Sequence, residues 1–340
     1  MASIDLEQLL KAISEEAPTG ADLEYDPLFG EMERAAEGKE EQQFGDTIIP
    51  AEDPDWRELK QKSLQILAQS KDLRAAIHLV RALVHTDGFA GLSDGLSLIE
   101  GYLDDYWDTL YPQLDPDDNN DPTIRINTLL NLCDPITFLP AVGKVPVVAS
   151  TVMGKFSHRD MQIAAGMLNV ADGDNQELSS DQIDAAFREC PTEQVEETLS
   201  QIRHAAESIG AIEGKLNERV GIDQSPDLQA LGDLLKQIEN EVAKRAGVES
   251  LSDASENIDA STPAGQAAGA APGTINSRDD VIRTLERISR YYEQNEPSSP
   301  IPLLLERARR LVKMDFHEIV QDLAPGGTSH FDFLWKQEDR

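Results

Sequence analysis

The chain has 340 residues, with 63 Asp+Glu against 30 Lys+Arg, so its formal net charge is −33. Hydrophobic residues make up 40% of it, enough to build cores, which excludes a wholly disordered acidic chain. The acidic balance argues against a nucleic-acid binder, which needs clustered Lys/Arg, and against docking on an anionic membrane.

Met1 to Leu10 is acidic and amphipathic, without the basic region and apolar core of a signal peptide. Asp53-Pro54-Asp55 before Trp56 reads as a helix N-cap followed by Pro at the first helical position. Leu73, Ile77, Val80 and Val84 share one helical face, as do Leu92, Leu96, Ile99, Leu103 and Tyr106. Thr86-Asp87-Gly88 reads as the turn between those two helices. Pro112, Pro116, Pro122, Pro135, Pro140 and Pro146 predict loops and short helices. Ala141 to Gly154 is weakly polar, but Lys144 and Pro146 interrupt it and it falls short of the roughly 20 apolar residues of a membrane span.

Val195, Leu199, Ile202, Ala206 and Ile209 form a further stripe, and Leu228, Leu231, Leu235, Ile238 and Val242 its counterpart. Ser225 as cap and Pro226 as first residue would start the second helix, giving an antiparallel hairpin. Its stripes serve either a bundle within the chain or pairing with another chain, the first being the simpler. Residues 249–276, rich in Ala, Ser, Gly, Asp and Pro, bury too little to offset ordering and read as a flexible linker. Beyond it, Ser277 to Asp280 reads as a capping-box variant before the stripe Val281, Leu285, Ile288 and Tyr292. Leu304, Ala308 and Leu311, then Phe316, Ile319, Val320 and Leu323, suggest two more helices. No useful period-2 apolar stretch appears, so the fold class is all-α.

A search for chemistry yields no catalytic, cofactor or metal site. Gly210 to Lys215 is one residue short of a phosphate loop and lies inside a helical stripe. Asp115 to Asp121 begins like a calcium loop, but Asn120 stands where Gly is needed and Ile126 where Glu is needed. His78 and His85 lie about 10 Å apart along one helix, too far for one metal ion, on a face shared with Arg74 and Arg81. A surface or partner-facing role suits that face better. Cys133 reads as a core thiol. Cys133 and Cys190 form no CxxC pair, as in a cytoplasmic protein with two free thiols.

An ordered series of short motifs carries a family likeness: Gly20 to Pro27, Glu40 to Gly45, Pro54-Asp55-Trp56, Asp72-Leu73-Arg74, Gly91-Leu92 with Gly95-Leu96, Tyr106-Trp107, Pro112 to Asp115, and Asp121-Pro122 with Arg125 and Asn127. The series resembles the ImpA N-terminal domain that marks TssA subunits of the bacterial type VI secretion system. Its motif positions here are Asp22, Tyr25, Pro27, Trp56, Asp72, Arg74, Trp107, Pro122, Arg125 and Asn127. Tyr291 to Arg310, with Glu296-Pro-Ser-Ser-Pro300, is similar to the C-terminal domain of the same family. The middle, from about Asp172 to Ala246, matches little beyond its helical pattern.

The resemblance implies an ImpA-type helical domain over 1–160 and a small ring-forming helical domain over 277–340; between them, spacing and composition give a middle helical hairpin over 161–248 and the linker 249–276. The resemblance also implies a non-enzymatic cytoplasmic assembly subunit with no cofactor, similar to the shorter, baseplate-associated members. Partners would be further copies of itself, baseplate proteins such as TssK, and the sheath, inner tube and spike proteins. Glu296, Pro297, Ser299, Pro300, Leu303, Leu304, Arg307, Arg310, Leu311 and Phe316 are candidate ring or partner contacts. Residues 277–340 hold 10 Lys+Arg and 12 Asp+Glu, whereas residues 1–276 hold 20 and 51. A near-neutral tail can crowd at a ring where acidic copies would repel. The rival readings are a monomeric or dimeric helical adaptor and an acidic-site hydrolase.

Overall fold

The structure, a computed structural model, describes residues 3–38, 42–44, 47–49, 52–168, 178–221, 224–247 and 301–311, together with Ile282, Leu285 and Ser289. The chain divides into two units, Met1–Ala260 and Ser261–Arg340. In the first unit the helices are α1 (Leu6–Leu10), α2 (Pro27–Ala36), α3 (Trp56–Leu67), α4 (Leu73–Tyr106), α5 (Thr123–Leu130), α6 (Phe138–Gly143), α7 (His158–Ala164), α8 (Ser180–Glu189), α9 (Thr192–Val220) and α10 (Gln229–Ala246). The second holds α11 (Ile301–Leu311). Ile282, Leu285 and Ser289 are helical; Val281, Ile288 and Tyr292 lie outside the described residues, as does Ser277 to Asp280.

Mainly helical architecture follows the apolar spacing, with two additions that the sequence reading missed. Strands β1 (Gln42–Phe44) and β2 (Thr47–Ile49) pair antiparallel, as do β3 (Pro146–Ser150) and β4 (Gly154–Ser157). The second hairpin lacks a clean period of two because its register shifts between Pro146 and Val148, leaving Val147 and Val148 both buried. Gly154, at φ 96°, closes its turn in a conformation that side chains disfavour.

Helix α4 is the centre of the first unit. Gly88 has φ 66° and ψ −139°, outside helical geometry, so α4 consists of two arms meeting at the Thr86-Asp87-Gly88 turn. The second arm returns along the first. A Cβ on Gly91 would lie 2.6 Å from the Leu83 carbonyl oxygen, and one on Gly95 would lie 2.8 Å from Val80 Cγ2. Both arms are buried on most sides, because α3 and α9 both pack on α4, and α1, α5 and α6 add to the cover.

Helix α9 also packs on α10, forming the antiparallel hairpin. Val195, Leu199, Ile202 and Ile209 of its stripe and all five residues of the second stripe are buried within the chain, with Ala206 half-buried, in favour of the first of the two readings. Residues assigned to 1–160 and to 161–248 therefore share one core. Two predicted caps need correction. Asp55, not Asp53, caps α3, accepting from the Arg57 and Glu58 amides, and Pro54 precedes the helix. Helix α10 starts at Gln229 rather than Pro226, because the Glu213 carboxylate of α9 takes the Leu228 amide at 2.8 Å. Among the described residues, the buried Ser225 hydroxyl has no hydrogen-bond partner.

The glycines give a direct test. Gly91→Ala should lower the stability of the first unit by about 1–3 kcal/mol, since its methyl meets backbone that cannot step aside. Gly214→Ala, in α9 with open space around its Cβ, should raise stability by about 1 kcal/mol. Urea midpoints of the two variants should therefore move in opposite directions.

Candidate functional site

The motif residues separate into a buried frame and an exposed rim. Asp72 caps α4, accepting from the Arg74 amide, and its carboxylate also holds the Arg74 guanidinium at 2.7 Å. Arg74 reaches on to Glu24 at 2.8 Å and lies over the Phe29 ring, tying the loop before α2 to α4. Asp26 caps α2 with Pro27 at the first helical position, and Asp22 accepts from the Glu24 amide. These carboxylates act as caps and struts, not as a paired acid and base.

Arg125 performs a similar task at the other end of the α4 arm. It is 1% exposed, and its guanidinium donates to the carbonyls of Pro112 (2.7 Å), Trp107 and Leu110. The guanidiniums of Arg125 and Arg219 both lie near the Trp107 ring, at 4.8 and 5.5 Å from its centre. Pro122 stands at the N-cap position of α5, which carries Arg125. Asn127 is exposed on that helix, and Tyr25 is 93% exposed.

Lys71 was not singled out from sequence, because nothing in its neighbours marks it as buried. Its ammonium donates to the Leu9 carbonyl at 2.6 Å and lies 5.7 Å from the centre of the Tyr102 ring. Burial pushes Lys71 down to about 8.

A groove opens where α3, α4 and α6 converge, with a volume of about 440 Å³. Trp56 and His85 stack at 3.8 Å, nearly parallel, and form its aromatic wall. Arg81 lies 5.9 Å from the Trp56 ring centre, Phe138 is buried behind, and exposed Lys144 and Asp53 stand at the mouth. Burial lowers His85, helped by Arg81 and Lys144 and opposed by Asp53. His78, one turn from Arg81, is pushed down to about 4 by burial and by Arg81, so it is neutral at pH 7. Sequence spacing found both histidines on a face with arginines; it did not join His85 to Trp56, which is 29 residues away.

Other chemistry-bearing stretches have local roles. Gly210 to Lys215 lies within continuous α9. Asp115 to Asp121 is a loop holding a short 3₁₀ turn at Pro116–Asp118, with Asn119 and Asn120 at positive φ. Among the described residues, no group of three or more His, Cys, Asp and Glu could hold a metal ion. Also among them, no helix is long and apolar enough to cross a membrane. Cys133 is half-buried rather than a full core thiol, Cys190 is buried, and both are free. Of the tail candidates, Leu303, Leu304, Arg307, Arg310 and Leu311 lie on α11, where Leu304 is 62% exposed. Glu296, Pro297, Ser299, Pro300 and Phe316 lie outside the described residues.

Fold and side chains thus define a helical protein whose buried polar groups brace the scaffold. Residues 10–134 match the family described as ImpA, N-terminal, type VI secretion system. The chain is 41% identical over 342 residues to the type VI secretion system component TssA1 of Pseudomonas aeruginosa, covering 97% of this chain and 98% of that one. A solved structure of the N-terminal domain including the conserved ImpA_N region of the TssA component from Burkholderia cenocepacia has a TM-score of 0.57 at 25% identity. That match covers 72% of this chain and 94% of the other. The chain belongs to the TssA family of type VI secretion system components. The family is one of structural components rather than a known enzyme family.

Two side chains give predictions. Arg125→Met should cost about 3 kcal/mol or more, since three buried carbonyls lose a charged donor; urea unfolding measures it. For Lys71, the folded value of about 8 lies below the ordinary 10.5, so the unfolded state binds more protons between them and stability rises with pH there. Cys133 and Tyr102, both pushed up by burial, act in the opposite sense. The difference between the parent and Lys71→Met isolates the lysine: the parent should gain stability relative to the variant from pH 8 to 9.5.

Proposed function

We propose that this protein is a non-enzymatic assembly component of a type VI secretion system that acts in the cytoplasm. It forms a ring through residues 277–340, binds the baseplate, and helps initiate or guide assembly of the contractile sheath and inner tube. The observation carrying this reading is the 41% identity to TssA1 across 97% of the chain. Partners under it are baseplate proteins such as TssK, together with sheath, inner tube and spike proteins.

Physical chemistry supports the placing of the ring. Of the net −33, residues 277–340 contribute only −2. Like charges repel strongly within a Debye length of about 8 Å, so the tail is the cheapest part of the chain to crowd. A 64-residue segment is also marginal alone, and oligomerisation is a usual remedy. In α11, Leu304 is exposed beside half-buried Leu305, Ala308 and Leu311, an apolar face suited to contact. Residues 249–276 then serve as a tether, letting each ring copy present its N-terminal helical unit as a client-binding arm. Several arms on one ring bind a repeated target with avidity that no single arm reaches.

Light scattering of the full chain and of a chain ending at residue 276 tests this. The full chain should form a defined multimer larger than a dimer, and the shortened chain should be monomeric. An unchanged mass on shortening would refute the tail as ring-former, and a full-length monomer or dimer would favour a plain helical adaptor.

A further inference from the structure

Arg81 differs from the other buried and half-buried arginines that brace this molecule. Arg74 reaches Asp72 and Glu24, Arg203 reaches Glu239, and Arg245 reaches Asp184. Arg125 takes three carbonyls. Arg81 lies in the same acid-rich chain, yet among the described residues its one hydrogen-bond contact is a 3.5 Å approach to His78 Nδ1. Among the described residues, no carboxylate lies within salt-bridge distance of it; Asp134 acts on it only from farther away and is itself engaged by Thr137 and the Ile136 amide. Burial lowers Arg81, as expected of a charge stripped of water without a close counter-charge. Such a cation weakens the fold unless something supplies the missing anion.

Its surroundings indicate what that something is. The Trp56–His85 stack gives a flat wall beside the guanidinium. Lys144 adds a second positive charge at the mouth, and Ile136, 82% exposed, adds an aliphatic lip. A free phosphate would satisfy Arg81 but gain nothing from Ile136 or the aromatic wall. A peptide carrying an acidic side chain next to an aliphatic one uses all of them. Asp53 at the mouth repels a second carboxylate placed there, so the acid belongs at depth, on Arg81.

We propose that this groove is a docking site for an acidic, aliphatic-flanked segment of a partner protein, with the segment's carboxylate on Arg81 and its aliphatic side chain on Ile136. The site goes beyond the ring reading and stands or falls independently of it.

The test pans a displayed library of random heptapeptides against the full-length protein, then titrates the synthesised winning peptide by calorimetry. Enriched sequences should place Asp or Glu beside Leu, Ile or Val. Loss of a charge-assisted contact in Arg81→Gln should weaken the winner about tenfold or more. That variant should melt no lower than the parent, because it removes an unpaired, half-buried charge. Lys144→Glu and Ile136→Ser, both at exposed positions, should each weaken binding by about threefold. Replacing the peptide's Asp/Glu by Asn/Gln should abolish binding. The proposal is overturned if no sequence is enriched, if enriched sequences lack acidic residues, or if the winner binds Arg81→Gln or Ile136→Ser as it binds the parent. Complete displacement by millimolar inorganic phosphate would also overturn it, reducing the groove to a simple anion site.

Discussion

The close return of α4 on itself is the constraint on which the first unit depends. Gly88 makes the reversal in a conformation outside helical geometry, and Gly91 brings the second arm against the Leu83 carbonyl. Those two arms then offer their remaining sides to α1, α3 and α9. A bulky residue at position 91 would push the arms apart and withdraw the surface on which α3 and α9 pack. The groove depends on the same reversal, since Arg81 and His85 occupy the last turns before the bend and Val145 lies 3.1 Å from where a Gly88 Cβ would be.

Acid excess shapes how the scaffold is braced. With 63 acidic side chains available, cations at element junctions find carboxylates readily: Lys60 meets Asp87, Lys62 meets Glu31, and Lys215 meets Asp104. These pairs keep at least one partly exposed partner, so water screens them and each contributes modestly. Asp72 and Arg125 contribute more, because they are buried and removing either leaves unpaired groups behind. Much of the motif series is therefore a record of how the domain holds together. Four of the motif residues are exposed: Asp22 and Pro27 still shape the turn into α2, whereas Tyr25 and Asn127 stand on the surface.

Helix positions were legible because burial on one face leaves a period that survives in a single sequence. The α9 and α10 stripes and the turn at Gly88 were readable on that ground. The β3–β4 hairpin was not, since strands of five and four residues with a register shift carry no alternation to count. The start of α10 was misplaced because its first amide is satisfied from another helix, by Glu213, which local capping patterns cannot reveal. The groove was half legible. Trp56, His85 and Arg81 each stood out, but their meeting requires α3 to pack on α4, a contact set by tertiary structure.

Under the proposed function, the net charge of −31 on residues 1–276 keeps that part in solvent while the near-neutral residues 277–340 are where copies gather. Family membership gives that division a setting in type VI secretion. Negative-stain imaging of the purified full-length chain tests the division most directly. Closed rings of uniform size are expected; a field of single particles the size of one chain would contradict the proposed assembly role.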